Sequence, residues 1–220
     1  MRMLGRVIIA VIVIAAVYLI VDFAGRIWAE AYVASQVERT LGLSSKPDVT
    51  FGGPLFVPQL LSGKLSSANA TASDFTSNNV SFTSATLSLK DVEFSPGKLL
   101  FHQDATIVAH SGSGSATMTA KQLTDAFHAQ GIPVDIRFQS DGTVRVAASR
   151  FPVAVIVEAT IEQGELVLRP SNPVFRKISF SLSLPELVPG LTYTAVVFGE
   201  TEGTLTFQLK DAAFAVPGSG

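Results

Sequence analysis

The chain has 220 residues, 47% of them hydrophobic and 15% charged, with 16 basic side chains against 18 acidic ones and no cysteine. So even a charge balance excludes the basic surface that nucleic-acid binding requires. The lack of cysteine excludes disulfides, thiolate nucleophiles and Cys-ligated zinc. A chain of this length can bury an adequate core without such staples, and with 15 Phe against 3 Tyr and 1 Trp that core has few polar handles.

Arg2 and Arg6 precede an apolar run over residues 7–21 that Asp22 closes. Widened to residues 4–24, the run reaches the roughly twenty residues that span hydrocarbon, with Arg6 and Asp22 at the two interfaces. The arginines ahead of it favour an orientation with the rest of the chain outside the cytoplasmic membrane. Two other readings stand beside this anchor. One is a signal peptide cleaved after the small-x-small sequence Ala29-Glu30-Ala31. The other is a core helix apolar on every face. The sequence therefore divides into an anchor or signal over 1–24, one domain over 25–216 and a tail over 217–220.

Within the domain, Ile27, Ala31, Ala34, Val37 and Leu41 keep helical spacing up to Gly42, so the helix continues to there. After Pro47 the period becomes two. Val49 and Phe51 alternate, then Val80 and Phe82, Leu87 and Leu89, Val92 and Phe94. The parity changes twice along that stretch, which predicts bulges or bends in long strands. Ser111 to Ser115, alternating with glycine, reads as a short flexible connector. A second helix is marked by a Thr119/Gln122 capping box, the stripe Ala120, Leu123, Phe127 and a stop at Gly131.

Strands then resume. Ile132 to Phe138 alternates, turns at Ser140-Asp141-Gly142 and returns through Val144, Val146 and Ala148. Further alternating runs lie around Val155, Leu166, Phe180, Tyr193 and Phe207. The connections are hairpin-sized, so the sheet is mainly antiparallel. Two helices and roughly nine strands predict an α+β domain in which sheet dominates.

No catalytic pattern emerges. His102, His110 and His128 lack metal-site spacing and read as surface or loop residues. There is no G-x-S-x-G elbow and no phosphate-binding glycine loop. Glu162 with Glu165 and Glu200 with Glu202 flank turns and look solvated. No cofactor, metal or enzymatic activity is expected.

Two features invite a binding hypothesis. If the hairpin closes through Ser140 to Gly142, Arg137 lies directly across from Arg145, with Arg150 nearby in sequence. Like charges so placed repel unless an anion sits between them, and guanidinium forks suit the phosphate of a lipid head group. The alternative is a solvated face on which Asp135 or Asp141 offsets the repulsion. The second feature is the apolar segment over residues 51–63, broken by Pro54 and Pro58, which cannot be a central strand. It is either a plug at one end of the core or a loop that touches membrane or rims a pocket.

The apolar N-terminal helix, the helix after it, the sequence Pro47-Asp-Val-Thr-Phe-Gly-Gly-Pro-Leu-Phe-Val-Pro-Gln-Leu-Leu-Ser-Gly63, the motif Leu89-Lys-Asp-Val-Glu-Phe94, the helix after Thr119 and Leu182-Ser-Leu-Pro-Glu-Leu-Val-Pro-Gly-Leu191 together resemble the LmeA-like family of actinobacterial envelope proteins. The resemblance covers nearly all of the chain after the anchor. One departure is Leu55, where a phenylalanine directly after Pro54 would match better.

The resemblance implies a single elongated domain of the tubular lipid-binding type, a strongly curved antiparallel sheet wrapped around a long helix. It also implies a place in the cell envelope, at the outer face of the cytoplasmic membrane or in the periplasm, and a part in maturing mannosylated glycolipids such as lipomannan. On this reading a phospholipid, phosphoinositide-type lipid or glycolipid binds in an apolar cleft lined by Phe51, Leu55, Phe56, Phe82, Leu87, Leu89, Phe180 and Leu182. Its head group would lie near Arg137, Arg145 and Arg150. The rival reading is a scaffold with a filled core that contacts a membrane glycosyltransferase, and an envelope hydrolase trails both.

Overall fold

The computed structural model describes residues 2–41, 43–101, 103–148, 154–172, 174 and 178–216, and of residues 2–14, 40–41, 99–100, 148 and 216 the backbone alone. Four helices and eleven strands are formed among the described residues. Helix α1 (Arg2–Leu41) leads into strand β1 (Asp48–Gly52) and the short helix α2 (Phe56–Ser62). Strands β2 (Lys64–Ser77) and β3 (Val80–Glu93) form a long hairpin, and helix α3 (Pro96–Leu100) connects them to β4 (Ala105–Thr119). Helix α4 (Ala120–Ala129) follows. Next come β5 (Val134–Phe138), β6 (Val144–Ala148), β7 (Ala154–Glu162), β8 (Glu165–Pro170), β9 (Phe180–Ser183), β10 (Leu191–Phe198) and β11 (Glu202–Val216).

The strands form two sheets, not one. A six-stranded sheet has the order β1-β2-β3-β4-β11-β10, and a five-stranded sheet runs β5-β6-β7-β8-β9. Every pairing is antiparallel. The expected α+β class with sheet dominant therefore holds.

The expected helix inside the sheet does not. The 40-residue α1 lies along the outer edge, against β1 and α2. Its polar side chains explain that position. An edge strand presents unpaired backbone groups, and α1 satisfies two at the end of β1: the Glu30 carboxylate accepts from Phe51 N at 2.7 Å, and Arg26 donates to Gly53 O, just past the strand, at 2.9 Å. The helix that enters the core is the 10-residue α4, whose Leu123, Ala126 and Phe127 are buried. Its N-terminus carries the predicted capping box, with Gln122 N donating to Thr119 Oγ1 at 3.2 Å and Thr119 N donating to Gln122 Oε1 at 2.8 Å.

Ser111 to Ser115 is not a connector. It is the middle of β4, hydrogen-bonded to β3 on one side and β11 on the other. Glycine is required there because a Cβ at Gly114 would run into the Phe207 ring and the Thr86 carbonyl oxygen, and one at Gly112 into Leu89. The low-complexity appearance reflects close approach between neighbouring strands.

The parity changes exist, but β2, β3, β4 and β11 keep constant register throughout. In place of bulges, Asp74, Asp91 and Asp211 adopt positive φ of 50°, 51° and 47°. Each turns its strand over at a row where pairing lapses, so inward-facing residues change parity, from even to odd at Asp74 and from odd to even at Asp91 and Asp211. Aspartate tolerates this conformation better than most residues. A true register shift occurs between β10 and β11, at Tyr193/Ala195.

Buried residues fall into two clusters. The main core fills the space between the two sheets and α4, around Phe82, Met118, Leu123, Phe127, Leu168, Leu182 and Leu205. A smaller basal core of Phe56, Leu65, Val92 and Ala109 lies at the α2 end of the long strands.

Candidate functional site

Between the two cores the inner face of the six-stranded sheet is only partly covered. One row across it runs Phe51–Ala68–Leu89–Gly112–Leu209–Leu191, and the next runs Val49–Ala70–Leu87–Gly114–Phe207–Tyr193. Ala68, Ala70, Ala72, Leu87 and Leu89 on β2 and β3 remain partly exposed. Leu87 packs toward the main core and Leu89 toward the basal one, so they bridge the two. Alanine on β2 and glycine on β4 flank the leucines of β3. This alternation of small and large side chains leaves a shallow apolar strip.

The strip assembles part of the apolar set read from the sequence. Phe51, Leu87 and Leu89 lie on it or at its edge. Phe56 stacks on Phe51 with ring centroids 5.6 Å apart but is itself 2% exposed, within the basal core. Leu55 is partly exposed at the N-cap of α2. Phe82 and Leu182 have no exposed surface in the main core, and Phe180 packs against it from β9. The eight residues are thus spread over both sheets and α2, and three of them border the open strip.

The segment over residues 51–63 divides its character. Phe56 plugs the basal core, whereas Leu61 on α2 is 71% exposed. Pro58 is accommodated in the first turn of α2, where its missing N–H costs nothing. That helix is capped from outside itself: the buried Asp22 carboxylate of α1 accepts from Phe56 N at 2.9 Å and from Val57 N at 2.7 Å. Sequence reading placed Asp22 at the end of an apolar run and missed this role, because the partner amides lie more than thirty positions away.

Arg137 pairs with Arg145 as the hairpin geometry predicted, and Gln139 N donates to Thr143 O at 2.9 Å to close the loop. Both guanidinium groups are exposed on the outer face of the five-stranded sheet, opposite the buried Ile136 and Val146. Asp141 is engaged with the turn itself, accepting from Thr143 N at 3.0 Å and Thr143 Oγ1 at 2.7 Å. The arginine pair therefore faces away from the apolar strip. Arg150 lies outside the described residues, as does His102.

The outer face of the six-stranded sheet is hydroxyl-rich. Thr86 and Ser115 pair at 3.0 Å, and Ser84 and Thr117 at 2.7 Å. A groove of about 490 Å³ crosses β2, β3, β4, β10 and β11, lined mostly by hydroxyl and amide side chains such as Thr71, Thr86, Ser115, Thr194 and Gln208. A second, of about 400 Å³, separates α1 from β1 near Glu30, Ala34 and Lys46. Both are open grooves of mixed polar and apolar lining, and the apolar strip on the inner face is likewise open.

One charged chain on the sheet escaped sequence reading. Lys64 pairs with Glu93 at 2.7 Å, His110 Nε2 approaches Glu93 at 3.7 Å, and His110 Nδ1 meets Asp211 at 3.1 Å. It links β2, β3, β4 and β11, from the Lys64–Glu93 row to the row of His110 and Asp211 where the strands turn over. The Asp211 carboxylate raises the His110 pKa above its ordinary 6.5, partial desolvation opposes this, and Glu93 adds to it.

Most of the apolar run over residues 7–21 lies among side chains outside the described set. Among the described residues no helix is long and apolar enough to cross a membrane.

Comparison with known proteins gives one match. The family model described as LmeA-like phospholipid-binding matches residues 20–208. No curated relative and no solved structure matches the chain.

Proposed function

Since the chain belongs to the LmeA-like phospholipid-binding family, we propose that it is a non-catalytic lipid-binding protein of the cell envelope that takes an acyl chain along the apolar strip between its two cores. The strip is the observation that carries this reading. Burying partly exposed Leu87, Leu89 and the β2 alanines under a hydrocarbon tail gains roughly 25 cal/mol per Å² of apolar area removed from water. The tail meets no unsatisfied backbone there, because β2, β3 and β4 are paired on both sides along the two rows of the strip.

The apolar run over residues 7–21 would hold the protein at the outer face of the cytoplasmic membrane, next to its lipid source. The lipid would be a phospholipid or phosphoinositide-type lipid, and the protein would support maturation of a mannosylated glycolipid such as lipomannan. In the rival reading the strip contacts a membrane glycosyltransferase and no lipid is bound.

The cross-strand arginines favour a second contact. Two guanidinium groups in register, with no ion pair to either among the described residues, attract an anionic head group. Because they lie on the outer face, this contact would engage a lipid other than the one on the strip.

A single assay separates these readings. The full chain is incubated with vesicles of phosphatidylcholine and phosphatidylinositol, re-isolated and weighed by native mass spectrometry. Lipid-bound mass is expected for the wild type and a loss of at least about tenfold for Leu89→Lys, which places a charge on the strip. The Arg137→Gln, Arg145→Gln double variant is expected to keep the bound lipid and lose the salt-sensitive part of its vesicle affinity. A wild-type mass of protein alone would end the lipid reading and leave the scaffold.

A further inference from the structure

Among the described residues most of the exposed large apolar side chains lie on α1, on α2 and just after α3, with Ile156, Val174, Ile178 and Val197 exposed elsewhere. Phe23, Ile27 and Trp28 of α1 are 66%, 50% and 69% exposed, Leu61 of α2 is 71% exposed, and Phe101 after α3 is 76% exposed. Three contacts bring the elements together. Asp22 of α1 caps α2, Gly25 of α1 lies against Phe56 and Val57, and Gly63 after α2 abuts Phe94 and Pro96 at the start of α3.

From Asp22 toward the N-terminus α1 leaves the domain, and Ala15 to Val21 are exposed on every side. A bare apolar helix of that kind is unstable in water and needs a hydrocarbon cover. The patch on α2 and α3 begins where this helix departs. Trp28 and Tyr32, stacked at 5.6 Å, lie just beyond the departure point, and Lys98 is exposed on α3. Aromatic rings and basic groups flanking an apolar segment are the composition of a membrane–water interface.

The orientation of the sheet follows from the same contacts. As α1 runs from Asp22 through Arg26 to Glu30, its partners run backward from Phe56 through Gly53 to Phe51. Helix and edge strand are therefore antiparallel neighbours. The 14-residue strands β2 and β3 extend roughly 45 Å from the α2 end toward α4.

We propose that the α1–α2–α3 end of this domain rests on a phospholipid bilayer, with Leu61 and Phe101 in the head-group region and the long strands standing away from the surface. The apolar strip then starts close to the bilayer and leads outward from it. The proposal rests on the reading of residues 7–21 as membrane-inserted, and it goes further in assigning which surface of the folded domain touches lipid.

The test uses the single tryptophan of the chain. With Trp28→Phe as background, reporters are introduced in the full chain as Leu61→Trp, Phe101→Trp and, at the far end, Ile156→Trp. All three sites are exposed in the structure, so the fold tolerates the change. Each variant is reconstituted with vesicles of phosphatidylcholine and phosphatidylglycerol that carry brominated acyl chains. Quenching of the Leu61→Trp and Phe101→Trp reporters is expected to exceed that of Ile156→Trp by at least about threefold.

Equal quenching at all three sites overturns the proposal. Quenching of native Trp28 with none at Leu61→Trp or Phe101→Trp overturns it too, while leaving the inserted helix intact. Vesicle-independent pairing of two chains through this face would likewise overturn it. Lipid retained on the strip in native mass spectra, with no quenching at this end, separates a failure of docking from a failure of lipid binding.

Discussion

Gly114 shows how a single side chain, or the lack of one, shapes the inner face. It sits in the central strand under the Phe207 ring and beside the Thr86 carbonyl oxygen. The carbonyl belongs to a paired strand and cannot give way, so any larger residue must displace the ring or the strand. Gly114→Val is expected to lower stability by about 2–3 kcal/mol, in the range of overpacked cores. Gly97→Ala is the control: it lies in α3 with open space around it and is expected to be neutral or to gain up to about 1 kcal/mol from helix propensity. Urea midpoints for the two variants check this, and an unchanged midpoint for Gly114→Val would contradict the packing described.

Residue-level signals differed in how far the sequence disclosed them. The Thr119/Gln122 capping box and the Arg137/Arg145 pairing were legible because each involves neighbours within a few positions or one short hairpin. The role of Gly112 and Gly114 was hidden, since their crowding partners come from β3 and β11.

At the scale of elements, the long strands are interrupted rather than continuous. Asp91 and Asp211 flank His110 in the row where the sheet turns over, and His110 bridges Asp211 and Glu93 across it. The alternation of Leu87, Leu89 and then Val92 announced a change of parity. It did not say that the change is made at single left-handed residues in unpaired rows that leave the register intact, because that needs knowledge of which rows align. The histidine has a raised pKa in the folded state, through Asp211 first and Glu93 in support. Its stabilising contribution is therefore complete below the unfolded value of 6.5 and is lost as pH rises through the higher folded value.

The contribution is small, since the groups involved are well exposed to solvent. Proton NMR of the His110 ring is expected to give an apparent pKa above 6.5, and His110→Gln is expected to flatten the decline in urea midpoint between about pH 6 and 8. A ring that titrates at or below its ordinary value would show that the bridge does not hold in solution.

For the whole molecule, the decisive question is whether α1 and the sheet behave as one body. The periodicity of residues 25–42 revealed that a helix continues past the apolar run, and hairpin spacing revealed an antiparallel α+β domain. Where that helix sits was not legible: Asp22, Arg26 and Glu30 read as ordinary polar punctuation until the backbone groups they satisfy on β1 and α2 are known. If these contacts fix the helix to the domain edge, a covalent link between them should form without strain. Gly25 offers the place, because a Cβ there would lie 3.9 Å from Val57 Cγ2, so side chains at the two positions are in contact across the α1–α2 junction. The chain has no native cysteine, so Gly25→Cys with Val57→Cys creates one possible bridge.

Oxidation is expected to close it nearly completely. By closing a loop of about thirty residues it should add about 3–4 kcal/mol in the chain-entropy estimate. Thermal unfolding of the oxidised and reduced forms measures that gain. A helix that instead swung freely from the sheet would leave the thiols largely unbridged. The alignment of the long strands with α1, and with it the proposed stance on the bilayer, would then have no mechanical basis.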